Sequence, residues 1–246
     1  MHNLPCFNCF RSACSRCSIE LAFLVDSSTK TDANAWTQML GYVSDVVQGY
    51  TISATCVRVA VIRYSDRADA SIQLNSYTSV NPLVQAIGRI QFLGGGSNLA
   101  AALDLLRSQV FASNVVRSNA VRIAVIVTDQ LQSSSQITTA ANSVKQQGIT
   151  IVGVAITGPG RVSVSFFGSI VSSSRCLIQV ANYGQLIADA RDPVVTRCAC
   201  VEYVAPQPTT TTTTPQPVPE GRKYLAAFVF SDRVQQDCIS HNASLN

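Results

Sequence analysis

Two eight-residue runs constrain this chain most: Val121–Thr128 and Ile149–Ile156 are almost continuously apolar or β-branched. A segment with no polar face belongs to a strand covered on both sides, which is the situation of a parallel sheet. Neither run approaches the ~20 apolar residues that cross a bilayer, so no membrane insertion is expected. Between them lies a helix-period segment with Ile137, Ala141 and Val144 on one face, stopped by Gly148, a natural C-terminal cap. Strand, helix, strand in this order is the repeating unit of an α/β fold.

The same alternation extends in both directions. Residues 21–25 read as a strand, and Trp36, Met39, Leu40, Val43, Val46 and Val47 then recur at helical spacing. Residues 56–65 and 68–74 read as two further strands, followed by a helix opened by Asn81 with Pro82 in its first turn and another over 98–110. A short helix over 165–171, a strand over 177–180 and a final helix over 185–195 complete the unit. The expectation is a doubly wound, mostly parallel six-stranded sheet flanked by helices, with right-handed crossovers.

With 47% hydrophobic and 13% charged residues, the 246-residue chain has material for one large core plus appendages. Residues 19–200 form the expected domain, after a Cys-rich segment over 1–18. Residues 201–220 hold the prolines and the six consecutive threonines Thr209 to Thr214, a composition that buries no core and reads as a linker. The tail, 221–246, is too short to fold alone; residues 226–232 echo 21–26 faintly, as if a further copy of the domain began there.

Charge and histidine content exclude function classes. The net charge of +4 is scattered, with no Lys or Arg run to track phosphates, so nucleic acid is not an expected partner. His2 and His241 both lie in the appendages, which removes a Ser-His-Asp arrangement from the domain. The first strand leads into Ser27-Ser28-Thr29-Lys30 where a dinucleotide fold needs Gly-x-Gly-x-x-Gly, and Gly94, Gly95 and Gly96 lack the Gly-Lys-Ser/Thr of a phosphate loop. The expected function is binding, not catalysis.

In a doubly wound sheet, ligands sit beyond the carboxyl ends of the strands, where the strand order reverses. Asp26 ends the first strand, and Asp129 ends the strand over 121–128. Asp26-x-Ser28, Gly94-Gly95-Gly96-Ser97-Asn98 and Thr128-Asp129 occur in that order, each just after a strand or before a helix. Over about 180 residues the sequence resembles the von Willebrand factor A domain family of extracellular matrix and adhesion proteins, whose Asp-x-Ser-x-Ser, Gly-Gly-x-Thr and Thr-Asp-Gly segments these match.

The resemblance implies a metal-ion-dependent adhesion site in which hydroxyls and an aspartate hold Mg²⁺ while a ligand carboxylate fills an open position. Mg²⁺ takes an octahedral oxygen shell and few carboxylates, so such a set is chemically sensible. Carried over by position, Asp26, Ser28, Ser97 and Asp129 are the metal ligands. Lys30 stands where the family has the second serine, and an ammonium has no acceptor to offer a metal. Gln130 replaces the glycine after the aspartate. These departures imply a degenerate site with Mg²⁺ weak or absent, in which the Lys30 ammonium stands in for the metal against Asp26 and Asp129, with Asp32 helping. Lys30 and Gln130 are then the ligand-facing residues, and the partner is a protein of the matrix or cell surface.

Nine cysteines favour an oxidising, extracellular compartment, although no secretory signal is visible at the N-terminus. Cys6-x-x-Cys9 and Cys14-x-x-Cys17 are separated by only four residues, against roughly 15 to 20 in zinc ribbons, which favours disulfides over zinc. Cys17, Cys198 and Cys200 flank the domain and suggest a clasp at the end of the sheet away from the ligand site; Cys56 and Cys176 lie at that end too but on separated strands, so they should not pair together. The odd total leaves a thiol, with Cys238 the candidate, for a disulfide-linked oligomer. One glycosylation sequon begins at Asn242. The alternative to an adhesion module is a structural matrix component assembled through disulfides with the crevice unused; an intracellular scaffold is a third reading.

Overall fold

The computed structural model describes residues 18–28 and 31–186. The Cys-rich segment, the linker, the tail, the final helix beyond Leu186, Asn242 and Lys30 lie outside them.

Six strands form the expected sheet: β1 (Ile19–Asp26), β2 (Val57–Tyr64), β3 (Ala68–Ile72), β4 (Val121–Thr128), β6 (Ile149–Ile156) and β8 (Leu177–Val180). Their order is β3-β2-β1-β4-β6-β8, and every pairing is parallel except β2 with the edge strand β3. Two-residue strands β5 (Gln130–Leu131) and β7 (Arg161–Val162) pair separately beside the carboxyl ends of β4 and β6. The chain builds outward from β1 on one side through β2 and β3, then crosses back to β4 and builds outward through β6 and β8. The order therefore reverses between β1 and β4.

Among the described residues five α-helices cover the sheet: α1 (Ala33–Gln48), α2 (Val80–Ile87), α3 (Leu99–Leu105), α4 (Ser135–Gln146) and α5 (Val164–Ile170). α1 packs on β1 and α2, while α3, α4 and α5 pack in a row against β2, β3 and β6. Right-handed crossovers made in opposite directions from the centre put these two groups on opposite faces. Both faces of β1, β4 and β6 are thus buried, which is why those strands carry no polar stripe: Leu21, Phe23, Val125, Ile126, Ile151 and Val154 have no exposed surface.

Helix ends follow local chemistry. Asp32 caps α1 by accepting from the Ala35 N–H at 2.7 Å, and Asn98 caps α3 through the Ala101 N–H at 3.1 Å. Ser79, not Asn81, is the N-cap residue of α2; Asn81 and Pro82 are both inside its first turn, where a missing N–H costs nothing. The helix expected over 98–110 is α only to Leu105, and Leu106–Val110 continues as one π-turn. Gly148, at φ 71°, ends the α4 segment in the left-handed conformation.

Cys56 and Cys176 are both disulfide-bonded. They lead into β2 and β8, which are separated by β1, β4 and β6. Four strand spacings amount to about 19 Å, against at most ~7 Å between bridged Cα atoms, so the two do not pair together.

Candidate functional site at the strand switch point

The register of β1 against its neighbours sets Asp26 level with Tyr64 of β2 and Val25 level with Val127 of β4. The residues that follow, Ser27-Ser28 and Thr128-Asp129, therefore leave the sheet side by side at the point where strand order reverses. Asp26, Ser28, Thr128 and Asp129 are all buried there.

Three neutral donors hold the Asp26 carboxylate. The Ser28 N–H donates to Oδ1 at 3.0 Å, and the hydroxyls of Ser97 and Thr128 donate to Oδ2, each at 2.9 Å. Burial raises the Asp26 pKa, and these hydrogen bonds offset the rise only in part. Tyr64, wholly buried beneath, is kept protonated by burial and by the charge of Asp26.

Ser97 reaches Asp26 because its loop is fixed from both sides. Ser27 accepts the Leu93 N–H on Oγ at 2.8 Å and the Gly94 N–H on its carbonyl at 2.9 Å. Asp66 accepts the Gly96 N–H at 2.8 Å, and the Asn98 N–H donates to the Ser65 carbonyl at 2.7 Å. Gly94 and Gly95 adopt φ 73° and 93°, and a Cβ at 95 or 96 would collide with the Asp66 carboxylate. Gly95→Ala should thus cost about 1–3 kcal/mol in urea unfolding. Gly41, in α1 with open space around it, should instead gain about 0.4–1 kcal/mol from the same change.

Asp129 is held differently. Thr31 donates to its Oδ1 at 3.0 Å, while Oδ2 accepts from the Tyr183 hydroxyl at 2.8 Å and pairs with the Arg161 guanidinium. Burial, then the hydrogen bond to Asp129, pushes the Tyr183 phenol far above its usual range, so it remains a donor. The Gln130 side-chain amide turns inward and donates to the Ser28 hydroxyl, and its backbone N–H donates to Thr128 Oγ1 at 3.1 Å.

Asp26, Ser28 and Ser97 thus share hydrogen bonds directly, and Asp129 joins them through Thr31, whose N–H donates to the Ser28 carbonyl at 3.0 Å. Gln130, expected at the rim, is largely buried within this cluster. Asp32 serves the α1 cap. Thr31, Arg161 and Tyr183 were not singled out from the sequence. Arg161 and Tyr183 follow β6 and β8 by a few residues, so the rule that functional residues follow strand ends, applied to every strand, finds both. Above the cluster opens a crevice of about 950 Å³ lined by Asp66, Gly96, Ser97, Gln132, Ser134 and Arg161.

Sheet order, switch-point carboxylates and the Gly-Gly-Gly-Ser loop define a Rossmann-like domain with a polar crevice at the strand switch point. Residues 20–191 match the von Willebrand factor type A domain model, and the chain belongs to that family. It is 27% identical to the human collagen alpha-6(VI) chain over 190 residues, covering 76% of this chain and 8% of that one. Against mouse matrilin-3 the identity is 28% over 160 residues, 63% of this chain and 33% of that protein. The chain thus spans a third or less of these relatives.

Among solved structures, proximal thread matrix protein 1 from the mussel byssus, with its MIDAS motif occupied by zinc, superposes with a TM-score of 0.67 at 22% identity, covering 76% of this chain and 46% of that one. Manganese-loaded Plasmodium vivax TRAP protein gives 0.59 at 17% identity, over 72% of this chain and 73% of that one.

Proposed function

We propose that this chain is an extracellular adhesion or matrix-binding module, not an enzyme, engaging a protein ligand at the crevice above Asp26 and Asp129 without the help of a divalent ion. The observation that carries this reading is the Asp26–Ser28–Ser97–Asp129 cluster at the switch point, in a domain whose relatives are matrix proteins. The donor set does not fit the family's Mg²⁺. All four carboxylate oxygens of Asp26 and Asp129 already accept hydrogen bonds, and an amide N–H₂ donates to the Ser28 oxygen that would coordinate.

Recognition falls to the rim. Leu93, 45% exposed just before the glycine loop, is the exposed large hydrophobic among the described residues, and Arg161 and Gln132 line the crevice itself. Lys30, next to this rim in sequence, is proposed as a receiver of acidic side chains. Secretion, disulfide bracing of the domain ends and glycosylation at Asn242 fit the same extracellular setting. Among the described residues no helix is long and apolar enough to cross a membrane.

Surface plasmon resonance of the full chain against a panel of purified matrix proteins tests this reading. We expect saturable binding that EDTA leaves unchanged and that Leu93→Asp and Lys30→Ser each weaken by about tenfold or more. Binding abolished by EDTA, or indifferent to both substitutions, would sink it. The second reading, a structural component assembled through disulfides, draws on the bonded Cys56 and Cys176. Disulfide-linked multimers on non-reducing gels, with no affinity for any matrix protein, would favour it.

A further inference from the structure

We propose that Arg161 is the resident cation of this crevice, a side chain of the protein itself doing the electrostatic work that a divalent ion does elsewhere in the family. The inference deepens the reading of the crevice as a degenerate adhesion site and rests on it. Lys30, expected as an ammonium standing in for the metal, lies outside the described residues, and Arg161 is set alongside it in that part.

A buried carboxylate without a compensating charge is unstable, and a divalent ion is one way to supply that charge. Asp129 has no exposed surface, and the Arg161 guanidinium pairs with its Oδ2 from the open side of the crevice. The side chain of Arg161 is 37% exposed, so the positive group sits between the buried acid and the solvent, where an incoming ligand meets it. Tyr183 and Thr31 complete the shell with two hydroxyl donors at 2.8 and 3.0 Å. A planar guanidinium suits this role, since it is charged at every accessible pH and weakly hydrated.

The backbone around Arg161 is fixed as firmly as the side chain. β7 pairs with β5, so Arg161 lies level with Gln130. Gln132 donates its side-chain N–H to the Arg161 carbonyl at 2.8 Å, and the Ser163 N–H donates to the Leu131 carbonyl at 2.7 Å. One short ladder thus holds both intruders: Gln130, which caps the Ser28 hydroxyl, and Arg161, which covers Asp129. Two residues that a metal would need are closed by two residues from adjoining strands.

Thermal unfolding of the full chain with and without millimolar Mn²⁺ or Mg²⁺ tests the proposal on wild type, Arg161→Gln, Lys30→Ser and the double variant. A metal that binds only the folded state raises Tm, by about 2 °C or more when well above its dissociation constant. We expect wild type and Lys30→Ser to stay flat, and Arg161→Gln, alone or combined with Lys30→Ser, to acquire the shift. A response in wild type, a response in Lys30→Ser with Arg161 in place, or none in either Arg161→Gln variant would each overturn the proposal. Should Arg161→Gln unfold, a cycle of Arg161→Lys and Asp129→Asn in urea keeps it testable: additive effects would show that the two residues do not act as a pair. No protein ligand enters these measurements, so their failure is separate from a failure to bind matrix proteins.

Discussion

Replacing Glu20 by Ala is expected to remove about 3–5 kcal/mol of stability, enough to unfold a large share of molecules at modest urea. Glu20 is the second residue of β1, at the end of the sheet opposite the crevice, and has no exposed surface. Arg58, its cross-strand partner on β2, donates Nε to Oε2 at 2.8 Å and pairs through Nη2 with Oε1. Arg117 donates both its backbone N–H, at 3.0 Å, and its Nε, at 2.9 Å, to Oε1. The guanidinium groups then reach outward to carbonyls: Arg58 to Val115, and Arg117 to Ile19, Ala54 and Cys56. One carboxylate thereby ties together β1, β2 and the loop before β4. Its removal leaves two guanidinium groups, one of them buried, facing each other without an anion.

The pH dependence separates this cluster from the crevice. Burial alone would raise the Glu20 pKa, but the hydrogen bonds from Arg58 and Arg117 outweigh it and leave the group below its usual range. A carboxyl with a lowered folded pKa contributes stability above its unfolded pKa, and that contribution is lost as pH falls through the folded value. Asp26, whose pKa is raised, has the opposite sign: its contribution is present at low pH and fades as pH rises through the folded value. Tm should therefore fall steeply below about pH 4 in the wild type and less steeply in Glu20→Gln. An unchanged acid limb in Glu20→Gln would show that the cluster is not the acid-sensitive element.

Most of the fold could be read from period and punctuation. β4 and β6 have the limits that their apolar runs dictate, because a strand buried on both faces shows as a nearly unbroken run. Boundaries went astray where the backbone turns into a helix without a side-chain cap, as with Ser79 against Asn81, and where a helix changes its winding at Leu106. The crevice was legible in part. Asp26, Ser97 and Asp129 announce themselves because their motifs are local in sequence. Arg161 has no such motif: its place a few residues after β6 marks it as a candidate, but its pairing with Asp129 depends on β7 aligning with β5, a two-residue pairing with no sequence signature. Glu20 lies just before the apolar run over 21–25 and belongs to no local motif, and its partners lie 38 and 97 positions away.

Phe167→Ala is the second large expected effect, about 3–5 kcal/mol, and it bears on the crevice as well as the core. Phe167 is fully buried in α5, and its ring covers Gly153 of β6 so closely that a Cβ there would lie 2.6 Å from Cε2 and 2.7 Å from Cζ. Gly153 is thus a socket, and the ring is the knob that seats α5 on the sheet. α5 begins two residues after β7, and the Phe167 N–H donates to the Ser163 carbonyl at 2.9 Å. The anchor that holds α5 therefore also sets where the chain carrying Arg161 can lie. Removing the ring should lower both global stability and the amide protection of Ser163 in hydrogen exchange. Gly153→Val alone should cost at least about 1–3 kcal/mol through overpacking. Combined with Phe167→Ala, the valine should fill part of the void, so the double variant should lose less than the sum of the single losses by about 0.5–3 kcal/mol. Strict additivity in that cycle would mean that the ring and the glycine do not form the contact that positions Arg161.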